Sequence, residues 1–129
     1  MRQLALAVGV VMIVTTGAAG ADNRFERSLR RLSPNERVVQ LCDYTAMQRI
    51  RHAKGHYRPD RAVADARSDV TIDKNTVHAK GGAFRSRGKW YALSYTCRAS
   101  PDKMKVLSFK YKIGAEIPQS KWAAYSLWQ

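Results

Sequence analysis

The chain has 129 residues, with 23 lysines and arginines against 10 aspartates and glutamates, and its formal net charge is +13. This length supplies one modest hydrophobic core and excludes a two-domain protein. So strong a charge favours polyanionic partners, namely surface glycans, lipopolysaccharide, anionic lipid headgroups or nucleic acid, unless it serves solubility alone.

The N-terminal segment has the pattern of a secretory signal. Arg2 precedes an apolar stretch of eleven residues, Leu4–Val14, and small residues follow. Because a membrane-spanning helix needs about twenty apolar residues, we predict a signal peptide over residues 1–21, cleaved before Asp22, rather than a retained anchor. No second apolar run of spanning length follows, so we expect no transmembrane helix in the mature chain.

The mature chain keeps two cysteines, Cys42 and Cys97. An even pair in an exported protein predicts a disulfide, and neither cysteine has the CxxC partner that a metal or redox thiol would need. On the chain-entropy model, closing a loop of this length stabilises the fold by about 4 kcal/mol. We therefore predict a Cys42–Cys97 disulfide and a periplasmic or secreted location.

Residues 22–32 are polar and rich in arginine, without an apolar periodicity that would anchor them. We predict that they form a flexible basic lead-in to a single domain over residues 33–129.

The strongest helix signal follows. Ser33 suits the N-cap, Pro34 the first turn and Glu36 the capping box. Apolar side chains then recur at three- and four-residue spacing, and Cys42 lies on the face that they form. We expect this helix to end before Gly55.

The rest of the chain has the pattern of strands. Residues 61–66 could form a short helix or an edge strand, and we favour a strand. A strand over 76–84 is interrupted by Gly81-Gly82, which predicts a bulge or a close backbone approach. Residues 89–99 and 105–113 are rich in aromatic and β-branched types and should pair antiparallel.

Pro118 is predicted to open a short C-terminal helix. The fold class is therefore α+β: one main helix packed on a three- or four-stranded antiparallel sheet, a short C-terminal helix and one disulfide. Alternation then assigns the side chains of the sheet to two faces. The core face should contain Tyr91, Leu93, Tyr95, Cys97, Leu107, Phe109, Tyr111 and Ile113. The far face should contain Trp90, Ser94, Thr96, Ser108, Lys110, Lys112, His78 and Lys80.

The far face and the adjoining turn carry the candidate binding site. Arginine forks and lysines suit phosphate, sulfate or carboxylate groups, and an exposed tryptophan can stack on a sugar ring. The alternative is a solvent-exposed face that binds no ligand. We predict an anion-binding surface formed by Arg85, Arg87, Lys89, Trp90, Lys110 and Lys112.

Metal binding is the weaker hypothesis for the histidines. His52 and His56 are four residues apart, which would place two imidazoles on one side of a helix. However, Gly55 weakens the helix between them, and His78 lies on a separate predicted strand. We therefore expect surface histidines, no metal and no cofactor.

No catalytic constellation stands out in the sequence. There is no GxSxG or P-loop, no nucleic-acid-binding motif, and no histidine that sequence places beside Ser86 or Ser94. Several aspartates alternate with arginines and turn residues, which favours solvated ion pairs. They are Asp60, Asp65, Asp69 and Asp73. We predict that the protein is not an enzyme.

Several stretches resemble a known family. They are GGAFRS at 81–86, GKWYALSYTC at 88–97, VLSFKYKIG at 106–114, IP at 117–118, Trp122 and YSLW at 125–128, with Leu41-Cys42-Asp43 and Ala46-Met47 upstream. Over about the whole mature chain the sequence resembles the secreted alphaproteobacterial family catalogued as domain of unknown function nine-thirty. The resemblance implies export, a single domain, paired cysteines and a periplasmic location, but no substrate, cofactor or catalytic residue.

The sequence therefore favours a non-enzymatic periplasmic or cell-envelope binding module for an anionic partner, such as a glycan, lipopolysaccharide or anionic lipid. Two alternatives stay open. One is an inhibitor or interaction protein that docks on another exported protein. The other is a hydrolase of envelope glycans.

Overall fold

A computed structural model describes residues 19–129. Except for its last three residues, the predicted signal peptide over residues 1–21 lies outside this range. Across residues 19–129, no helix is long and apolar enough to cross a membrane. The elements are α1 Ala19–Arg30, α2 Pro34–His52, β1 Pro59–Val63, β2 Thr71–Asp73, β3 Thr76–Ser86, β4 Lys89–Ala99, β5 Val106–Glu116, and the 3-10 turns Gln119–Lys121 and Ala123–Tyr125.

The strands form one antiparallel sheet of five strands in the order β1-β3-β4-β5, with β2 also pairing with β3. This confirms the predicted α+β class and the preference for a strand near residue 61. The sheet has more strands than predicted because β2 is only three residues long, too short to give a sequence pattern. β5 lies at one edge of the sheet.

The predicted disulfide is present. Cys42 on α2 and Cys97 on β4 are bonded, with their Cα atoms 6.0 Å apart, and both are buried. This separation is within the usual range for a disulfide. The bond fixes the apolar face of α2 to the core face of the sheet, where Leu93 and Tyr95 are also buried. The main core therefore lies between α2 and the sheet.

The start of α2 agrees with its sequence signal. The helix begins at Pro34, and the Glu36 carboxylate accepts hydrogen bonds from the Ser33 hydroxyl at 2.9 Å and the Ser33 backbone N–H at 3.4 Å. A carboxylate here also interacts favourably with the positive end of the helix dipole. The capping signal thus located the helix start correctly.

The prediction of a flexible lead-in over residues 22–32 is wrong, because α1 covers most of it. Leu29 is buried in the main core, and the Phe25 ring stacks on Tyr44 with 4.1 Å between centroids. The Arg37 guanidinium donates hydrogen bonds to carbonyl groups at the end of α1, including that of Leu29 at 3.0 Å. Two well-placed apolar residues and one arginine are enough to anchor a short helix whose sequence is otherwise polar.

The predicted bulge in β3 is also present. β3 has one more residue than β4 between Ala79 and Gly82, where the register shifts. A side chain on Gly81 would lie 2.8 Å from the backbone nitrogen of Ser68, so this position needs glycine. Both features expected of the glycine pair, a bulge and a close backbone approach, therefore occur together.

One core residue was predicted wrongly. Leu107 is 54% exposed, because Arg98 pairs with Ser108 whereas Ala99 pairs with Val106, which leaves Leu107 as the extra residue of a bulge. The other three predicted core residues of β5 are partly buried and pack on the main core. They are Phe109, Tyr111 and Ile113.

The C-terminal segment, residues 117–129, folds back over the far face of the sheet. Its predicted helix consists of two 3-10 turns, and hydrogen bonds connect it to the sheet and to itself. The Ile117 N–H donates to the Trp90 carbonyl at 2.8 Å, and the Leu127 N–H donates to the Trp122 carbonyl at 2.8 Å. The segment therefore covers one end of the far face and leaves the other end open.

Candidate functional site

The structure divides the six predicted binding residues into three groups: two at each end of the far face, and Arg87 and Lys89 at the β3–β4 turn. We define the covered end as the region around Arg85 and Trp90, beneath the C-terminal segment. We define the open end as the region around Lys110 and Lys112, which pair with Thr96 and Ser94 of β4. Ser94 is four positions after Trp90 on β4, or about 13 Å away at the usual rise of a strand.

Trp90 is not an exposed stacking platform, and this part of the site prediction is wrong. Its side chain is 0% exposed, and its Nε1–H donates to the Trp128 carbonyl at 2.6 Å. Ala83, Ile117 and Leu127 are buried with it in a second, smaller core. Alternation correctly placed Trp90 on the far face, but the returning C-terminal segment covers that part of the face.

Arg85 also belongs to the covered end, and its charge is compensated. Its Nε donates to one Asp60 carboxylate oxygen at 2.9 Å, and a terminal nitrogen donates to the other at 3.0 Å. The same guanidinium lies over the rings of Trp90 and Trp128, 5.8 and 5.6 Å from their centroids. The hydrogen bond from Arg85 lowers the pKa of Asp60, as expected for a stable ion pair. With only 15% of its side chain exposed, Arg85 is a poor candidate for binding a further anion.

Arg87 and Lys89 lie at the β3–β4 turn. Both are exposed, and Arg87 has a φ of 52°, next to Gly88 with a φ of 77°. Lys89 Nζ is 4.0 Å from a carboxylate oxygen of Glu116, the outer limit of an ion pair. These two residues are accessible to solvent, but neither lines the two hollows of the open end.

The open end forms a shallow hollow of about 350 Å³. Its register across three strands is regular: His78 of β3 pairs with Thr96 of β4, which pairs with Lys110 of β5. A second hollow of about 230 Å³ shares three of the same residues and continues toward the covered end. The polar residues lining the two hollows are His78, Lys80, Ser94, Thr96, Lys110, Lys112 and Arg67.

The charge of this surface is uniform. Among the described residues that line either hollow, none is an aspartate or a glutamate. The β3 bulge is opposite Ser94, so Lys80 faces Lys112 across the hollow from the other side of β4. Strand alternation places Lys80 and His78 on this face, although neither is among the six predicted binding residues, and Arg67 was not predicted. The arginine comes from the β1–β2 connection, where no periodicity indicates its position.

A third cavity lies on the helix side of the sheet and was missed entirely. It has a volume of about 360 Å³ between α2 and the β1–β2 region, and it is lined in part by Asp43 and Asp65. Asp43 is only 5% exposed, and its Oδ1 accepts a hydrogen bond from the Tyr95 hydroxyl at 2.8 Å. Burial raises the pKa of Asp43 to about 7, although the bonds from Tyr95 and from the Ala64 backbone lower it in part. Burial likewise raises the pKa of Tyr95.

The signal for Asp43 in the sequence is weak. Asp43 immediately follows the buried Cys42. It is one helical turn from Val39, which lines the same cavity. A carboxyl group beside the apolar face of a helix is unusual, but sequence alone does not reveal whether it faces solvent or the sheet.

The three histidines are not brought together as a recognisable ligand set. His52 ends α2, His56 lies in the loop that follows and His78 is on β3. Within residues 19–129 no group of three or more histidine, cysteine or acidic side chains is arranged to hold a metal ion.

The comparisons with known proteins give one match. The family model described as Domain of Unknown Function (DUF930) matches residues 29–127. No curated protein and no solved structure matches the chain.

Proposed function

Since the chain belongs to the family described as Domain of Unknown Function (DUF930), whose description names no activity, its function has to be argued from its own surface. We propose that it is an exported, non-enzymatic binding module of the cell envelope, and that the open end of its far face holds an anionic partner. The partner is an envelope component that displays phosphate or carboxylate groups: a glycan, lipopolysaccharide or an anionic lipid.

The observation that carries this proposal is the uniform charge of the two adjoining hollows. Lys80, Lys110, Lys112 and Arg67 line them, with no carboxylate among the described lining residues to compensate these charges. Nearby cations in a partly enclosed surface raise the local potential and attract counter-ions. The hydroxyl groups of Ser94 and Thr96 can add neutral hydrogen bonds to the same anion.

The compartment is proposed on chemical grounds. A buried disulfide such as Cys42–Cys97 persists in oxidising compartments, which include the bacterial periplasm and the cell exterior. The predicted signal peptide over residues 1–21 and the resemblance to a secreted alphaproteobacterial family support the same location.

The test is a binding measurement with three probes: lipopolysaccharide, vesicles containing phosphatidylglycerol, and polygalacturonate. We expect the oxidised protein to bind at least one of them. The affinity should fall steeply as salt increases, because the release of counter-ions from the polyanion into a more concentrated salt solution is less favourable. The variant Lys80→Gln/Lys110→Gln/Lys112→Gln should lose about tenfold or more in affinity and show a shallower salt dependence.

A matched variant separates a site from general charge. Lys54, Lys74 and Lys121 are exposed and do not line the two hollows, so Lys54→Gln/Lys74→Gln/Lys121→Gln removes the same charge elsewhere. It should retain the affinity and the salt dependence of the parent. Equal losses in the two triple variants, or no binding of any probe by the parent, would contradict the proposal.

An interaction protein is the second candidate function. Trp128 is 47% exposed and lies next to Leu127 at the C-terminus, and Leu107 is exposed on the edge strand. Aromatic anchors of this kind are common in protein interfaces. Binding through Trp128 would depend little on salt, so the salt series distinguishes this candidate from anion binding.

A glycan hydrolase ranks behind both. Asp43 and Asp65 line one cavity, and paired carboxyl groups are the usual machinery of glycoside hydrolysis. However, five of the ten residues that line this cavity are aliphatic, and such walls would leave many hydroxyl groups of a bound glycan without hydrogen-bond partners.

A further inference from the structure

The cavity between α2 and the β1–β2 region has a different character from the basic far face. We call it the α2 cleft. Five of its ten lining residues are aliphatic, and its walls come from three parts of the chain. A volume of about 360 Å³ is within the range of small-molecule sites. The apolar lining residues are Val39, Ala62, Val63, Val70 and Ile72.

The charged residues that line the α2 cleft are all acidic, and Asn35 and Gln40 add neutral polar groups. Asp43, Asp65 and Glu36 line it, and no described lysine, arginine or histidine does. In a chain with 23 basic and 10 acidic residues, such a lining departs strongly from the average surface. The Glu36 carboxylate is engaged by Ser33 at the start of α2. Asp43 accepts a hydrogen bond from Tyr95 through Oδ1, but an ionised carboxylate has further acceptor sites, so Asp43 and Asp65 can both pair with a ligand.

We propose that the α2 cleft binds a small organic cation, a protonated amine carried on an aliphatic body, with the Asp43 carboxylate as its counter-ion. The aliphatic walls fit the body of such a ligand, and the carboxyl groups fit its charge. An anion would face repulsion from Asp65, and a neutral molecule would gain no ion pair with Asp43. This inference is independent of the anion site on the other side of the sheet.

Proton linkage follows from the position of Asp43. Its neighbours with titratable groups are Tyr95 of β4 and Asp65 after β1, and neither provides a positive charge. Without a ligand, burial favours the protonated carboxyl, whereas an ammonium group held beside it favours the carboxylate. Binding should therefore transfer the Asp43 proton to the buffer, and affinity should increase with pH for as long as the amine stays protonated.

Calorimetry on the oxidised protein tests this with n-hexylammonium as the probe. We expect affinity at pH 8 to exceed that at pH 5 by about tenfold or more, because Asp43 is mostly protonated at the lower pH. Titrations near pH 6.5 in two buffers of different ionisation enthalpy should show release of a proton. 1-Hexanol, which has the same chain without the charge, should bind at least tenfold more weakly.

Two variants assign the effect to a residue. Asp43→Asn keeps an oxygen that accepts the Tyr95 hydrogen bond and removes the charge, so it should abolish both proton release and the preference for the amine. Tyr95→Phe removes the hydrogen bond and keeps the carboxylate, so it should still bind the amine with proton release.

Three results would overturn the inference: equal binding of hexanol and hexylammonium, hexylammonium binding by the parent without proton release, or no detectable hexylammonium binding. An Asp43→Asn protein that still binds the amine with the parent's pH dependence would also overturn it. The buffer comparison uses the unmodified protein, so the test does not depend on how well the variants fold.

Discussion

The two ends of the far face start from similar sequence and finish as different surfaces. Each has basic side chains on neighbouring strands, with Arg85 at the covered end and Lys110 and Lys112 at the open end. At the covered end, Asp60 pairs with the arginine and the C-terminal segment encloses Trp90. At the open end, the lysines line a hollow without carboxylates among its described residues.

Charge in the sequence is therefore a poor guide to the charge that is available for binding. Strand alternation decides the side of a sheet on which a residue lies, and it did so correctly for Trp90 and Lys110. Whether that side stays open depends on segments distant in sequence, here on residues 117–129.

Trp90→Ala should be the most destabilising change. The side chain is fully buried, and its replacement leaves a cavity and an unsatisfied Trp128 carbonyl, for a loss of about 3–5 kcal/mol in the free energy of unfolding. Urea denaturation measures this. Under conditions where the variant is folded, anion affinity should match the parent, because the open end is unchanged. A stable variant with weakened anion binding would restore Trp90 as a ligand contact.

A change of pH should alter the free energy of unfolding through Asp43. Because this residue lies on the helix side of the sheet, the two ends of the far face should be affected equally. The folded-state pKa of Asp43, about 7, lies above its ordinary value of 3.8, so the folded protein holds the proton more tightly. The stabilisation from this group is complete below the ordinary value and is lost as pH rises toward 7. Relative to Asp43→Asn, the parent should lose on the order of 3 kcal/mol between pH 4.5 and 7.5.

Paired denaturation curves of parent and Asp43→Asn across this pH range provide the measurement. Using the difference between the two proteins removes the contribution of other carboxyl groups, such as Asp60, whose pKa is lowered and which act in the opposite direction. Parallel stability profiles for the two proteins would show that Asp43 is not perturbed.

Removing charge pairs compares the two ends directly. Lys110→Gln/Lys112→Gln should weaken anion binding by about 1–3 kcal/mol, since charge-assisted contacts are lost. Arg85→Gln/Arg87→Gln removes the same formal charge, but Arg85 is already paired, so we expect a loss below about 1 kcal/mol. Both are measured by titration with the tightest of the three anionic probes. A larger loss for the arginine pair would reverse the site assignment.

The smallest expected effect distinguishes two reasons why Arg85 does not bind an anion: its ion pair with Asp60 and its coverage by residues 117–129. Asp60→Asn removes the partner of Arg85 while leaving the C-terminal segment in place. If the ion pair with Asp60 is what prevents Arg85 from binding an anion, the affinity for anions should increase slightly, by about 0.5 kcal/mol, as expected for one exposed charge. No change at low salt would indicate that coverage by residues 117–129 is the dominant cause.

Much of the fold was accessible from sequence because its signals are local. The Ser33–Glu36 capping signal located α2, the glycines at 81 and 82 predicted the β3 bulge, and the cysteine pair predicted the disulfide. Each signal depends on a few neighbouring residues or on cysteine chemistry in an oxidising compartment. Local physics therefore fixed the main layers correctly.

The errors arise where distant segments meet. α1 is held in place because Leu29 reaches the core and Arg37 donates hydrogen bonds to carbonyl groups of this helix. Neither contact produces a periodic pattern in the sequence. The exposure of Leu107 depends on a one-residue bulge that alternation cannot indicate. For the site, Lys110 and Lys112 were identified by alternation, whereas Arg67 and Asp43 required the packing of β1 and α2.

The position of β5 at the edge of the sheet has a consequence for self-association. An edge strand has unpaired backbone groups along one side and can pair with the same strand of another molecule. Lys110 and Lys112 would then be brought near their own counterparts, and the bulge at Leu107 interrupts the regular edge. Charge and irregular backbone both discourage such pairing. An anion that neutralises the two lysines would weaken the electrostatic part of this protection, so that a saturated protein would be more prone to aggregate than the free one.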